Sequence, residues 1–210
     1  MLSGDTDSQF VTDSAAKMVK VVPENVNKGI VSVIGGKTQK IVQILENGNF
    51  ASDTGWSSTN VSRTISGNVA MITVRTALTG SCLLYKPVTF LSNHKYIISC
   101  DVKKNSSTTV RIGFRSTQTM AELKVNNVWT KMSVISTNDM SSSVGFIAYF
   151  SDLPTVDDTF EIKNVQVFDL TAMFGAGKEP TVIEQFINDI PYAEGSYLWS
   201  APIKKVVLNS

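Results

Sequence analysis

A succession of short alternating segments between residues 47 and 169 constrains the fold of this chain more than any other feature. In residues 96–102 the even-numbered positions are apolar and point to one side of a strand, while Ile97, Ser99 and Asp101 point to the other. Clusters of Gly, Asn, Ser and Thr separate such segments, and no long helical period runs among them. The pattern predicts an antiparallel β-sandwich or barrel.

Composition narrows the class of protein. Lysine and arginine total 19 and aspartate and glutamate 18 in 210 residues, so the net charge is +1. The chain therefore lacks the basic excess that is typical of a nucleic-acid binder. Hydrophobic residues make up 42%, which is enough to bury a core. No apolar run approaches the roughly 18 to 20 residues that span a bilayer, and the first ten residues lack a secretory signal. We therefore predict no nucleic-acid partner and no membrane partner.

Few side chains of this sequence suit nucleophilic or metal chemistry. Two cysteines, Cys82 and Cys100, are too few for a disulfide scaffold or a thiolate zinc site, and we predict free, buried thiols. His94 is the one histidine and is predicted to lie in a surface turn with no acid partner. Asp157 and Asp158 are adjacent and do not form the opposed carboxylate pair of a glycoside hydrolase. The sequence therefore predicts a protein that is not an enzyme.

The chain divides into four predicted parts. Residues 1–28 are polar and weakly patterned, so we expect an extended N-terminal arm, with room for one short strand. Residues 29–46 hold two β-branched runs around a Gly-Gly pair, which is typical of a tight hairpin turn. Residues 47–169 form the main domain. Residues 170–210 are predicted to contain a helical turn, a short helix and C-terminal strands.

Three segments of the main domain resemble carbohydrate-binding modules. NGNFASDTGW, residues 47–56, resembles the opening of the jelly-roll modules of families 4/9 and 22, and FEIKNVQVF, residues 160–168, is similar to their last strand. Trp129 stands where such modules have a Trp-Thr strand start. With the flanking segments, the resemblance implies an all-β fold, namely an antiparallel jelly-roll β-sandwich with flanking hairpin segments and a short C-terminal helical element.

Two further segments resemble motifs of bacteriophage proteins. IGGKTQK, residues 34–40, and FDLTAMFGAGKEPTVIEQF, residues 168–186, are similar to motifs that bracket such a jelly roll in tail, baseplate and other virion proteins of phages and prophages. This resemblance implies a protein located in the virion after assembly in the host cytoplasm. It also implies other virion proteins as partners, and a homo-oligomer or many copies in the particle.

Three functions follow from these resemblances. The leading hypothesis is a non-enzymatic phage virion protein of the tail or baseplate, whose jelly roll binds host cell-surface polysaccharide for adhesion and host recognition. The alternative is a structural decoration or assembly protein of the capsid or tail that binds no glycan. A third is an accessory domain of a glycan-degrading enzyme.

Strand alternation selects candidate residues for glycan binding. If the neighbouring apolar residues face the core, Arg111, Arg115 and Tyr149 face outward, and Tyr85 is added as a further aromatic candidate. Aromatic stacking with bidentate guanidinium donors suits sugar hydroxyls or acidic groups. The alternative for the same residues is a solvated sheet face. Trp56 and Trp129 are predicted to pack under a sheet, as in the modules that they resemble.

The resemblance also implies a calcium site near the first and last strands, built from carboxylate and carbonyl oxygens. Two acidic positions of that pattern are lost, because Ala51 follows the Phe of the opening element and Lys163-Asn164 stands in place of an Asp-Asp pair. The remaining candidate oxygen donors are Glu46, Asn49, Asp53 and Glu161. We predict no cofactor other than a possible calcium ion, with caps and turns as the alternative role of these four residues.

Overall fold

The structure is a computed structural model that describes residues 44–76, 82–105, 108–115, 119–136 and 144–183, together with the backbone of four strands at 11–13, 18–20, 30–34 and 37–41. Most of the second predicted helix and the predicted C-terminal strands lie outside the described residues. Within the described part, no helix is long and apolar enough to cross a membrane.

Two small hairpins come first in the chain. β1 (Val11–Asp13) pairs with β2 (Met18–Lys20), so two paired strands lie in the segment that we expected to be an extended arm with one short strand. β3 (Ile30–Ile34) pairs antiparallel with β4 (Lys37–Ile41), as the β-branched runs predicted. How these segments divide into independent units stays a prediction.

Ten strands of the main domain form two antiparallel sheets. In chain order they are β5 (Ser57–Thr59), β6 (Val61–Ser66), β7 (Val69–Val74), β8 (Leu83–Val88), β9 (Tyr96–Asn105), β10 (Val110–Phe114), β11 (Met120–Leu123), β12 (Thr130–Ile135), β13 (Val144–Phe150) and β14 (Thr159–Asp169). The first sheet has the order β11-β10-β13-β8-β5, and the second has the order β12-β9-β14-β7-β6. Because the chain passes repeatedly between the sheets, the domain is a jelly-roll β-sandwich, which confirms the predicted fold class.

One hydrophobic cluster fills the space between the sheets. Phe114 and Phe146 enter it from the first sheet and Phe160 from the second, and all three are fully buried. Trp56 joins the same cluster, as predicted, and its ring packs against Phe50 at 4.4 Å between centroids. Since burial of these large rings removes much apolar area from water, the cluster is the main source of the sandwich's stability.

Both cysteines lie in this core. Cys82 and Cys100 are buried and free, as predicted. Burial raises the pKa of the Cys82 thiol, and it raises that of Cys100 well above its ordinary value. The two thiols are therefore small hydrophobic core groups in their protonated form.

Trp129 contradicts the prediction that it packs under a sheet. It directly precedes β12 and is only partly buried. The ammonium groups of Lys103 and Lys163 lie 5.3 and 4.3 Å from its ring centroid. The ring therefore lies on the outer face of the second sheet and not in the core. The two lysine side chains partly cover it through cation–π contacts and their aliphatic stems.

The strand β14 leads directly into α1 (Leu170–Phe174), which ends at Gly175 as predicted. Asp169 caps this helix, since its side chain accepts a hydrogen bond of 2.8 Å from the Ala172 amide. Leu170 and Met173 are buried and bring α1 against β9. The helical turn thus covers one end of the second sheet's outer face.

Candidate functional site

The outer face of the first sheet brings together residues from neighbouring strands. Arg111 on β10 is directly paired with Tyr149 on β13. Ile147, two residues before Tyr149, is paired with Tyr85 on β8. Side chains of the opposite parity, such as Ile112, enter the core, so this group points away from it.

Arg111 is fixed by two partners on this face. Its Nε donates a hydrogen bond of 2.8 Å to Glu122 Oε1, and its Nη2 lies 2.5 Å from the same oxygen. Hydrogen bonds to Tyr149 and to Glu122 raise the pKa of Arg111. The same contact with Arg111 holds the pKa of Glu122 below its ordinary value. The guanidinium is therefore held in a fixed orientation by these two residues.

Arg115 lies over the ring of Tyr85, with 4.6 Å between the guanidinium carbon and the ring centroid. Arg115 is exposed, whereas Tyr85 is half-buried. This cation–π contact covers one side of the tyrosine ring and places a second set of guanidinium donors beside it. Arg115 and Tyr85 thus form a second arginine–tyrosine pair on the same face as Arg111 and Tyr149.

The floor between these polar groups is apolar and close-packed. Ile147 is 8% exposed, although it faces away from the core. Gly113 lies beside it, and a Cβ added there would meet Met120 Sδ at 2.2 Å and Thr119 O at 2.6 Å. Glycine at 113 therefore lets β11 approach closely and lets Met120 cover this part of the face.

The four residues predicted for glycan binding, Tyr85, Arg111, Arg115 and Tyr149, thus share one face. That they bind a ligand stays a prediction. Glu122 was missed at the sequence level, because its pairing with Arg111 depends on the register of β11 against β10. Alternation in the segment Met120–Leu123 was the available signal, since it places Met120 and Glu122 on one side.

The four candidate calcium ligands are not brought together. Glu161 lies on β14 and forms an ion pair of 2.6 Å with Lys103. Glu46, Asn49 and Asp53 lie in the loop before β5, where the Asn49 side chain accepts a hydrogen bond from the Ala51 amide. Within the described residues, no group of three or more His, Cys, Asp or Glu side chains is close enough to hold a metal ion.

Two protein cations lie against the loop in which calcium was considered. Arg63 pairs with Asp53 and donates to the Trp56 carbonyl at 3.1 Å. The Lys86 ammonium lies 3.4 Å from the Thr54 carbonyl oxygen and 5.3 Å from the Trp56 ring centroid. Burial lowers the pKa of Lys86, and the charge of Glu46 partly opposes this effect. Arg63 thus occupies the carboxylate of Asp53, one of the four candidate calcium ligands, and a second cation lies nearby.

His94 does have an acid partner, which corrects the sequence prediction. Its Nδ1 lies 2.8 Å from Asp169 Oδ2, although the two residues are 75 positions apart in the chain. Asp169 also caps α1, and Thr171 and Glu179 pair nearby through a hydrogen bond of 2.7 Å. The contact joins the turn before β9 to the end of β14 and holds the helical turn against the sheet.

No protein-family model and no curated protein matches the chain. Solved structures of similar fold include an arabinose-bound GH51 α-L-arabinofuranosidase, aligned over 61% of this chain at 13% identity with a TM-score of 0.49. The chain spans only 26% of that enzyme's length.

Isolated carbohydrate-binding modules are matched over most of their length. A family 4 module is aligned over 62% of this chain and 86% of its own, at 14% identity and a TM-score of 0.44. The module TmCBM61, in complex with β-1,4-galactotriose, is aligned over 60% of this chain and 98% of its own, at 10% identity and a TM-score of 0.44. At such identities the likeness does not identify a ligand for this chain.

Proposed function

We propose that this protein binds polysaccharide without chemically altering it, and that the outer face of the first sheet is the binding surface. The observation that carries the proposal is the convergence of two tyrosines and two arginines from neighbouring parts of one sheet. These residues are Tyr85, Arg111, Arg115 and Tyr149. Tyrosine rings offer apolar surface to sugar rings, and guanidinium groups donate to hydroxyl or carboxylate oxygens.

The carboxylate chemistry of this face supports binding over hydrolysis. Glycoside hydrolysis commonly needs two opposed carboxyl groups, one acting as acid and one as base or nucleophile. Glu122 is the acid found among the described residues of this face, and its oxygens engage Arg111 at 2.5 Å and Lys124 at 3.5 Å. A carboxylate held by two cations is poorly suited to donate a proton.

We further propose that the polysaccharide belongs to a bacterial surface and that the protein acts in the tail or baseplate of a phage particle, together with other virion proteins. The support is the resemblance of residues 34–40 and 168–186 to virion motifs. Many copies on one particle would convert weak binding at each face into firm adhesion, because binding at a second site becomes effectively intramolecular.

Retention of the full-length protein on bacterial cells tests the proposal. We expect retention to be lost after the wall polysaccharide is stripped. Tyr149→Ala should weaken retention about tenfold, equivalent to about 1.4 kcal/mol, because it removes the ring and a hydrogen-bond partner of Arg111. Tyr149→Phe keeps the ring and should lose less.

A matched aromatic control lies on the opposite side of the sandwich. Trp129→Ala removes a partly exposed ring from the outer face of the second sheet and should leave retention unchanged. Melting temperatures of all variants separate binding from folding. Absence of retention for a folded, multivalent wild-type protein that still assembles onto particles would overturn the proposal in favour of a structural decoration role.

A further inference from the structure

A depression of about 530 Å³ lies at the corner where the chain passes from β5 of the first sheet to β6 of the second. Its wall includes Ser58, Arg63, Arg75 and Thr76, so hydroxyl and guanidinium groups dominate it. The Arg75 amide donates to the Asn60 carbonyl at 3.2 Å, which ties the end of β7 to this corner. The volume is within the range of small-ligand pockets.

Arg63 is the buried charge of this depression. It points to the core side of β6, and its side chain is 11% exposed. Its Nε pairs with Asp53, and its Nη2 donates to the Trp56 carbonyl. Its Nη1 is buried and has no hydrogen-bond partner among the described residues. One buried donor of this corner is therefore left without an acceptor among the described residues, which is energetically costly.

The depression also carries a net positive charge. Arg63 and Arg75 contribute two positive charges, and Asp53, the acid that pairs with Arg63, contributes one negative charge. One positive charge therefore remains in a partly enclosed site, where attraction for an anion is stronger than in bulk water. Hydroxyl donors such as Ser58 can complete the coordination of an oxygen-rich group.

We propose that this corner depression binds a single oxyanion, namely the carboxylate or phosphate group of an acidic polysaccharide. Arg63 and Arg75 would hold its oxygens from two sides. The site is separate from the outer face of the first sheet, because none of Tyr85, Arg111 and Tyr149 lines it. The inference concerns a second contact and does not require glycan binding at that face.

Titration of the full-length protein with two probes tests the inference. Oligogalacturonate carries carboxylates, inorganic phosphate carries the other oxyanion, and a neutral oligogalactoside controls for the sugar. We expect at least one oxyanion to bind at millimolar concentration, with an affinity that falls as salt rises. The probe that binds more tightly identifies the source of the oxyanion. Arg75→Gln should weaken that binding about tenfold, because it removes one of two charged donors.

Charge-matched variants make the test specific. Lys178→Gln removes an exposed positive charge outside the depression and should not alter oxyanion affinity. Arg63→Gln should weaken binding at least as much as Arg75→Gln. If it does not fold, Arg75→Gln decides the matter, since Arg75 is exposed. Failure of both probes to bind, or equal affinity of wild type and Arg75→Gln, would overturn the inference.

A second location for the oxyanion is also tested. If Arg115→Gln abolishes oxyanion binding and Arg75→Gln does not, the outer face of the first sheet is the anion site and the inference is wrong. The two proposals fail independently. Retention on cells through Tyr149 tests the sheet face, whereas the loss caused by Arg75→Gln in the probe titration tests the corner depression.

Discussion

At the scale of single residues, Arg111 shows how a side chain of this face is held in place. Its Nε and Nη2 both contact one oxygen of Glu122, while Tyr149 takes a further hydrogen bond. These contacts fix the plane of the guanidinium, so binding of the proposed glycan would cost less side-chain entropy. The same contacts also use donors of Arg111, so the proposed glycan would bind only to the donors that remain.

The Arg111–Glu122 contact predicts a pH dependence. Hydrogen bonding to Arg111 lowers the pKa of Glu122 from its ordinary value of 4.5. The pKa of Glu122 is lower in the folded than in the unfolded protein. The contact therefore stabilises the fold fully at pH values above the unfolded-state pKa, and this stabilisation is lost as the pH falls through the folded-state pKa. An NMR titration of the Glu122 carboxyl carbon measures the shift.

Arg111→Gln is the variant that isolates this effect. It should move the Glu122 pKa upward toward 4.5, because the largest cause of the shift is removed and only Lys124 remains as a favourable partner. A Glu122 pKa that is identical in wild type and variant would show that the contact is not formed in solution.

At the scale of elements, strand positions follow from local chemistry. In the hairpin of β6 and β7, the turn residues Gly67 and Asn68 both have positive φ, at 56° and 64°, as a primed hairpin turn requires. Pro87 lies in β8 and has no amide to donate to a neighbouring strand. The partner strand β5 pairs only with residues up to Tyr85, so Pro87 lies where β8 has one neighbour and no amide is needed on the other side.

Contacts between distant elements were beyond sequence reasoning. His94 and Asp169 meet because β9 and β14 are paired along their length, and alternation along one strand does not give that register. Trp129 was misplaced for a related reason. Its position just before β12 did not reveal that lysines on β9 and β14 would cover its ring.

The junction of β14 and α1 carries a stability prediction. Asp169→Ala should destabilise the fold by about 1 to 3 kcal/mol, because it removes the helix cap and leaves neighbouring donors without an acceptor. Asp169→Asn keeps an oxygen for the Ala172 amide and should lose less. Urea unfolding curves measure both variants.

Asp152→Ala provides the control for this junction. Asp152 is exposed, and its substitution should change the unfolding free energy by less than about 0.5 kcal/mol. Equal stability of Asp169→Ala and Asp152→Ala would contradict the role given to the Asp169 carboxylate.

At the scale of the whole molecule, the sandwich was predictable and the pairing across it was not. Three of the four candidate residues of the first sheet, Arg111, Arg115 and Tyr149, were found from period-two alternation with core residues, and Tyr85 was added only as a further aromatic. The contact of Arg115 with Tyr85 and the corner depression depend on how strands and loops meet. Such contacts depend on how distant strands are paired, and local sequence patterns do not give that pairing.

The same whole-molecule geometry predicts the response to calcium. Because Glu161 on β14 is paired with Lys103 on β9, and because Arg63 and Lys86 lie against the loop of Asp53, we expect neither calcium chloride nor EDTA to change the melting temperature. A ligand that binds only the folded state must raise it. Calorimetry measures the response, with magnesium chloride as the control for ionic strength. A rise specific to calcium would show that the metal site survives despite these cations.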